Sequence, residues 1–461
     1  MNNLQRVFSE QAEKKAFDPA HRQTLRFNIG KYETAVKKGV LQYSHIENAR
    51  RYAARQKEHC INNLEHHLIT FESRFTARGG RVIWAHDARE AVTAIVKILK
   101  SHGVRNVVKS KSMITEELEL NTVLQGNGIS VLETDLGEYI VQLDNDRPYH
   151  IITPVMHKSK KDIAELFHAK FGLNPESTAE EITAFVRAKL REKFMQADAG
   201  ITGANFLIAD TGSVLLTENE GNGVMSVSWP RLHIAIAGIE KVIPSIRDLQ
   251  VYLPLLATMG TGQKVTVYNS IISGPAKSKE PDGPAEMFVV LLDNGRTNLL
   301  AKPEQRSALR CIKCGACLNY CPVYKNIGGH AYGTTYSGPI GSIITPHLKG
   351  MEYKHLSFAS SLCGKCSEVC PVKIPIHKIL LLNRRDAVKE GFRTAQEKRV
   401  MTGYKMVMSR RRLLNRFSPG VKNLGLNLFF KKSWGSRRTL PHFDGPSFNQ
   451  EYQKAKVKRL K

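Results

Sequence analysis

The chain has 461 residues, 42% apolar and 24% charged, with 34 Gly and 19 Pro, values that exclude fibrous and wholly disordered readings. Its longest apolar runs fall short of the roughly 18 residues a membrane-spanning helix needs. Lys plus Arg number 68 against 42 Asp plus Glu, a net charge of +26 that implies an anionic partner or surface without saying which.

The opening MNNLQRVFSEQAEKK has no apolar core and no small-residue cleavage site, so a secretory signal is not expected and the chain reads as soluble and cytoplasmic. In the first 78 residues, LRFNIGKYETAVKKGVLQYS and ARQKEHCINNLEHHLITFESRF carry apolar residues at helical spacing. From residue 79 the period changes. RVIWA is a strand, DAREAVTAIVKILKSHGV a helix opened by Asp87 and closed by Gly103, and NVVKSKS a second strand. MITEELELNTVLQGNG is a second helix and ISVLETD a third strand. Strand alternating with helix predicts βαβ units and a mostly parallel sheet.

STAEEITAFVRAKLREKFMQ predicts a helix with a capping box from Ser177 to Glu180. FLIADTGSVLLTEN and HIAIAGIEKVI read as buried strands, ISGPAKSKEPDGPAE as an exposed loop, and FVVLLDNGRTNLL as a β run turned by Asp-Asn-Gly. The cysteine-rich segment follows, then a helix in IPIHKILLLNRRDAVKEG. From Gly391 onward, 18 Lys/Arg stand against Glu397, Asp444 and Glu451, and much of this tail reads as a solvated, partly disordered arm. The expected division is a helical segment 1–78, an α/β domain 79–300, a mainly helical ferredoxin-like domain 301–388 and a basic region 389–461.

Of eight cysteines, Cys60 stands alone and seven lie between Cys311 and Cys370, a crowding that points to metal rather than disulfides. Cys311, Cys314, Cys317 and Cys321, followed by Pro322, form C-x2-C-x2-C-x3-C-P, the bacterial ferredoxin run. Three closely spaced thiolates wrap one cluster and the fourth, turned away by Pro322, serves the other. Cys363, Cys366, Cys370 and Pro371 form the counterpart, with Ser360 where a first cysteine would stand. By this crossing, cluster one takes Cys311, Cys314, Cys317 and Cys370, and cluster two takes Cys321, Cys363 and Cys366. The second is one thiolate short. An oxygen of Ser360 or Ser361, water, a bound partner or a three-iron cluster would each account for the gap. Zinc is the rival metal, since CIKCGAC and LCGKC hold zinc-ribbon spacing, but zinc needs neither the third cysteine nor the Cys-Pro endings. Two clusters suggest an electron relay rather than a substrate site.

CIKCGACLNYCPVYKNIGGHAYGTTYSGPIGSIITP and SSLCGKCSEVCPVKIPIHKILLLNRR closely resemble the lactate-utilisation iron–sulfur protein family of the LutB/YkgF type. The resemblance extends upstream through GITGANFLIADTGSVLLTENEGN and LLDNGRTNLL and covers most of residues 80–385. It implies a subunit of a three-protein complex that oxidises L-lactate to pyruvate, with two 4Fe-4S clusters that pass electrons to an unidentified acceptor. It also implies a NagB/RpiA/CoA-transferase-like (LUD) α/β domain and a helical ferredoxin part, consistent with the 41 residues between Cys321 and Cys363. The family's seven cysteines match these seven, including the serine in place of the eighth. Two rival functions are weighed: the chain is itself the oxidoreductase, binding a small 2-hydroxy acid or thioester in the α/β domain, or it is a redox-responsive regulator.

Weaker signals have plainer alternatives. Glu218 or Glu220 in TENEGNG would suit a nucleophile, but a polar turn closing a hairpin is favoured. His150 with Lys109 and Lys111 would suit an anion near strand ends, but solvated residues are favoured. Lys313 and Lys365 near the clusters read as solvated, and His233 as a core or edge histidine. Cys60 with His59, His66 and His67 reads as surface or packing residues. MGTGQK lacks a full dinucleotide loop. The tail runs SRRRLLNRF and KAKVKRLK suit an acidic protein or the inner face of a membrane better than sequence-specific nucleic acid.

Overall fold

The computed structural model describes residues 3–410, 412, 415, 417–435 and 438–459. Ten strands follow in chain order: β1 (Arg81–Ala85), β2 (Asn106–Lys109), β3 (Ser130–Glu133), β4 (Ala199–Gly203), β5 (Phe206–Ile208), β6 (Ser213–Glu218), β7 (Leu232–Gly238), β8 (Val242–Ile243), β9 (Tyr268–Ile272) and β10 (Glu286–Leu292). Six form an all-parallel sheet in the order β1-β10-β7-β4-β2-β3. The other four form a second sheet, β8-β5-β6-β9, in which β6 runs antiparallel to both neighbours.

Burial on both faces explains the continuous apolar runs of the central strands. Along β7, Ile234 and Ile236 join Ile95, Leu99 and Leu124 on one face, while Ala235 and Ala237 join Leu64, Leu68, Phe71 and Phe75 on the other. The helix Leu64–Thr76 thus covers the second face of the sheet. Asp87 caps the helix Ala88–Ser101 by accepting from the Glu90 amide, and Gly103 beyond its end has φ +64°.

Three local expectations are corrected, and helices are found in the exposed basic tail. The capping box is Thr178 with Glu181, not Ser177 with Glu180. Both frames fit the pattern, but Ser177 is buried and its N–H is drawn into a turn with Asn174, which leaves Thr178 as the extended residue. MITEELELNTVLQGNG is two short helices, Met113–Glu117 and Leu120–Gly126, parted where Glu119 takes φ +50°. Asp-Asn-Gly turns a strand into a helix, Arg296–Leu300, because Asp293 accepts from both the amide and the hydroxyl of Thr297. The basic tail contains the helices Ala395–Met408, Pro419–Trp434 and Phe448–Arg459, the first fixed by a Thr394–Glu397 capping box. In SRRRLLNRF, Arg411, Leu413, Leu414 and Arg416 lie outside the described residues, as do the last two residues of KAKVKRLK.

The chain falls into two compact units, Met1–Phe392 and Arg393–Lys461. Within the first, one hydrophobic cluster runs from Leu25, Ile29 and Ala53 of the N-terminal helices through Tyr252 and Leu255 to Cys314, Cys317, Leu318 and Tyr324. The cysteine segment is therefore packed into the body of the fold. Among the described residues no helix is long and apolar enough to cross a membrane.

Candidate functional site

The cysteine segment is built from short turns rather than long helices. Lys313 (φ +60°) and Gly315 (φ +74°) bracket Cys314 and reverse the chain into the four-residue helix Ala316–Asn319. Such dihedrals aim successive backbone amides inward, and the Lys313 N–H lies 3.4 Å from Cys311 Sγ. The Tyr324 N–H lies 3.5 Å from Cys321 Sγ and the Ile374 N–H 3.4 Å from Cys370 Sγ. The last two favour the thiolate over the thiol at Cys321 and Cys370, against the burial that raises both.

One cavity is lined by Cys311, Cys314, Cys317 and Cys370, with Ile151, Ile312, Ile340, Val372, Ile374 and Ile376 forming its apolar wall. Cys370 comes from the second run, and its backbone is held by the N-terminal helix Ile46–Asn62. Arg50 donates to the carbonyls of Glu368 and Cys370, and Glu47 pairs with Lys373. Cys321, Cys363 and Cys366 do not line this cavity. They form a neighbouring group in which Cys363 is exposed and Cys366 buried.

Burial pushes the Cys314 and Cys317 thiols up, and the charges of neighbouring cysteines add to it. Burial likewise raises Cys370 and Cys366 to about 11, with Cys321 and Cys363 adding to the shift of Cys366. Four thiols in one apolar cavity cannot all ionise against each other unless a cationic centre holds them. The donor set, the inward amides and the dry wall fit an iron–sulfur cluster.

The first cavity lies beside a buried charge network at the carboxyl ends of the parallel strands. Arg296, just after β10, donates to Glu117 through Nη1 (3.0 Å) and Nη2 (2.9 Å) and to Glu240 through Nε (2.6 Å). Tyr336 donates to Glu117 at 2.7 Å, and Lys57 donates to the Glu240 carbonyl at 2.6 Å. Lys313 Nζ sits 3.9 Å over the Tyr336 ring, so it is not simply solvated. Burial pushes the Glu240 carboxyl up, but Arg296, Lys313 and Lys241 outweigh it and hold it down to about 2. None of Lys57, Glu117, Glu240, Arg296 or Tyr336 is singled out by a motif, although Arg296 and Tyr336 lie within segments that carry the family resemblance. The available signal was position: Glu117, Glu240 and Arg296 each follow a strand of a parallel sheet, where such folds place their sites.

The reading of Lys109 and His150 as solvated is corrected: both are buried. Lys109 ends β2 and pairs with Glu133 (2.7 Å) and Glu116 (3.4 Å). His150 Nδ1 accepts from the Ile152 amide at 3.2 Å, and Lys111 donates to the Ile152 carbonyl. Glu218 does not close a hairpin. Its carboxylate accepts from the Gly223 and Val224 amides at 2.7 and 2.8 Å and so anchors the start of the helix Asn222–Ser228. Glu220 accepts from the Leu136 amide and is pushed up to about 7, by burial first and by Asp135 second. His233 is a core residue 2.9 Å from Thr202 Oγ1. Cys60 is buried, with Sγ 3.1 Å from the Val242 carbonyl, while His59 and His66 are exposed. Lys365 pairs with Glu368 at 2.6 Å.

Residues 69–292 match the LUD domain and residues 307–374 the 4Fe-4S dicluster domain. Over 443 residues the chain is 39% identical to the uncharacterized electron transport protein YkgF of Escherichia coli (strain K12), covering 92% of this chain and 91% of that protein. Over 352 residues it is 46% identical to lactate utilization protein B of Bacillus cereus (strain B4264), covering 76% and 74% respectively. A crystal structure of a DUF162 family protein from Deinococcus radiodurans aligns with 50% of this chain and 98% of its own length, at 17% identity and a TM-score of 0.29.

Proposed function

Because the chain belongs to the family of lactate utilization protein B and YkgF, a LUD domain joined to a 4Fe-4S dicluster domain, we propose that it is the iron–sulfur electron-transfer subunit of an L-lactate-oxidising system. When loaded, Cys311, Cys314, Cys317 and Cys370 would hold one 4Fe-4S cluster and Cys321, Cys363 and Cys366 a second, and the pair supplies one-electron relay. The observation that carries this reading is the single apolar cavity lined by three cysteines of one run and the last of the other.

The chain's own residues fit that role. The isoleucine wall excludes water from the inner site, and the amides of Lys313 and Ile374 donate to its thiolates. Exposed Cys363 brings the second group to the surface, where a partner protein can accept or deliver an electron. The rival, in which this chain binds and oxidises the 2-hydroxy acid itself, would need a buried cation free to hold a carboxylate. Two buried cations, Arg296 and Lys109, each already hold two of the protein's own carboxylates, and buried Lys57 donates to the carbonyls of Glu240 and Val242.

The test is anaerobic mixing of the loaded chain with L-lactate, alone and with the proteins that co-purify with it. Bleaching of the cluster absorbance only in the mixture supports the proposal. Turnover of lactate by the isolated chain with an artificial acceptor would make the chain the oxidoreductase.

A further inference from the structure

The two cysteine runs carry the same turn. In the first, Lys313 (φ +60°) directs its N–H to Cys311 Sγ at 3.4 Å, Gly315 (φ +74°) follows Cys314, and a four-residue helix begins at Ala316. In the second, Leu362 (φ +56°) directs its N–H to Ser360 Oγ at 3.1 Å, Gly364 (φ +81°) follows Cys363, and a four-residue helix begins at Lys365. A positive φ at a leucine is uncommon enough that its recurrence at the matching position marks a shared geometry rather than chance. Ser360 stands to Cys363 and Cys366 as Cys311 stands to Cys314 and Cys317, and its Oγ takes the place of Cys311 Sγ in the turn.

The backbone here is also fixed from outside. From the helix Ile376–Lys389, Arg384 donates to the Ser360 carbonyl at 3.0 Å and to the Ser357 carbonyl at 2.9 Å. Two hydrogen bonds from one guanidinium hold the segment that presents Ser360. Ser361 corresponds to Ile312, between ligand positions, and is exposed.

Resting on the cluster reading above, we propose that Ser360 is the eighth ligand: its Oγ binds the iron that Cys321, Cys363 and Cys366 leave open, and its hydroxyl proton passes to solvent as the Fe–O bond forms. Oxygen is a harder donor than thiolate, so this iron differs electronically from the other three of its cluster.

The experiment compares the wild-type chain with Ser360→Ala, Ser360→Cys and Ser361→Ala, all purified without oxygen, by iron and sulfide content and by EPR in oxidised and reduced states. Wild type and Ser361→Ala should hold about eight irons. Ser360→Ala should fall to about seven and show an oxidised three-iron signal. Ser360→Cys should keep about eight, with a shifted reduced-state spectrum and midpoint potential. The proposal is overturned if Ser360→Ala matches wild type in iron and spectrum, or if wild type already shows the three-iron signal and the substitution leaves it unchanged. A wild-type chain that holds zinc or no iron fails earlier, at the cluster reading itself.

Discussion

The first and second cysteine runs repeat one backbone turn in opposite surroundings. Cys314 and Cys317 are buried against isoleucines and next to the Arg296–Glu117–Glu240 network at the sheet edge, whereas Cys363 is exposed and its helix carries the surface pair Lys365–Glu368. The same ligand spacing therefore builds one group that is enclosed in the hydrophobic core and one that shares that core through Cys366 but reaches the surface at Cys363. What differs is not the loop but what the rest of the chain packs onto it. Arg50 and Glu47 of the helix Ile46–Asn62 reach the end of the second run, whereas its beginning is held by Arg384 and leaves Cys363 exposed.

That contrast is broken or upheld most strongly at the cysteines. Cys317→Ala should lose about half the iron and cost more than about 4 kcal/mol, the range associated with loss of a metal site inside a core. Cys363→Ala should lose a similar share of iron with a much smaller fall in Tm. Iron analysis with thermal unfolding decides between them, and equal destabilisation by both would end the distinction between an inner and an outer site.

The charge network beside the inner cavity comes next. Glu117→Ala removes one of the two carboxylates on buried Arg296 and should cost about 3–5 kcal/mol, because part of a guanidinium charge is left uncompensated. The EPR signal of the second cluster should be unchanged. A loss under about 1 kcal/mol would mean that water reaches Arg296, contrary to its burial.

Balanced charge beside the inner site can be set against unbalanced charge at the far edge of the same sheet. Around Lys109 lie Glu133, Glu116 and Glu138, and Glu138 is raised well above the usual carboxylate range by burial first and by Glu133 second. The sign follows from linkage. The unfolded chain ionises this group near pH ~4.3 while the folded chain keeps the proton, so the group lowers stability as pH rises above ~4.3, until the folded group ionises too. Relative to wild type, Glu138→Gln should gain stability toward neutral pH, at a slope of up to about 1.4 kcal/mol per pH unit within that window. Parallel Tm profiles from pH 6 to 8, with no offset between them, would show that Glu138 is ionised in the fold.

Much of this was legible in the sequence, for identifiable reasons. Period-two and helical patterns placed β1, β2 and β3 and the helix after β1, because buried faces impose them. The second sheet was not separable from the first, since β5, β6 and β7 are all short apolar runs and pairing is non-local. The cysteine spacing singled out seven residues, four of which, Cys311, Cys314, Cys317 and Cys370, line one cavity in the fold. Lys57, Glu117, Glu240 and Arg296 were not readable, because their significance comes from three strand ends and an N-terminal helix meeting in space. Lys109 misled for the converse reason: a lysine at a strand end looks solvated until the carboxylates packed over it are known.

The smallest expected effect tests the exposed side of the comparison. Lys365 and Glu368 form an i,i+3 pair at 2.6 Å with side chains 42% and 68% exposed, a geometry that contributes about 0.3–0.5 kcal/mol at most and fades with salt. Lys365→Glu should therefore leave Tm almost unmoved. It should nevertheless change how fast an anionic small-molecule acceptor oxidises the reduced chain, since Lys365 lies within the Cys363–Cys366 turn and long-range attraction acts on encounter rather than on stability. Stopped-flow oxidation at low and high ionic strength separates the two effects. A slower rate at low salt that recovers its wild-type value at high salt places electron exchange at the second run, whereas a rate indifferent to Lys365 at every ionic strength would move the exchange surface elsewhere and leave exposed Cys363 without that role.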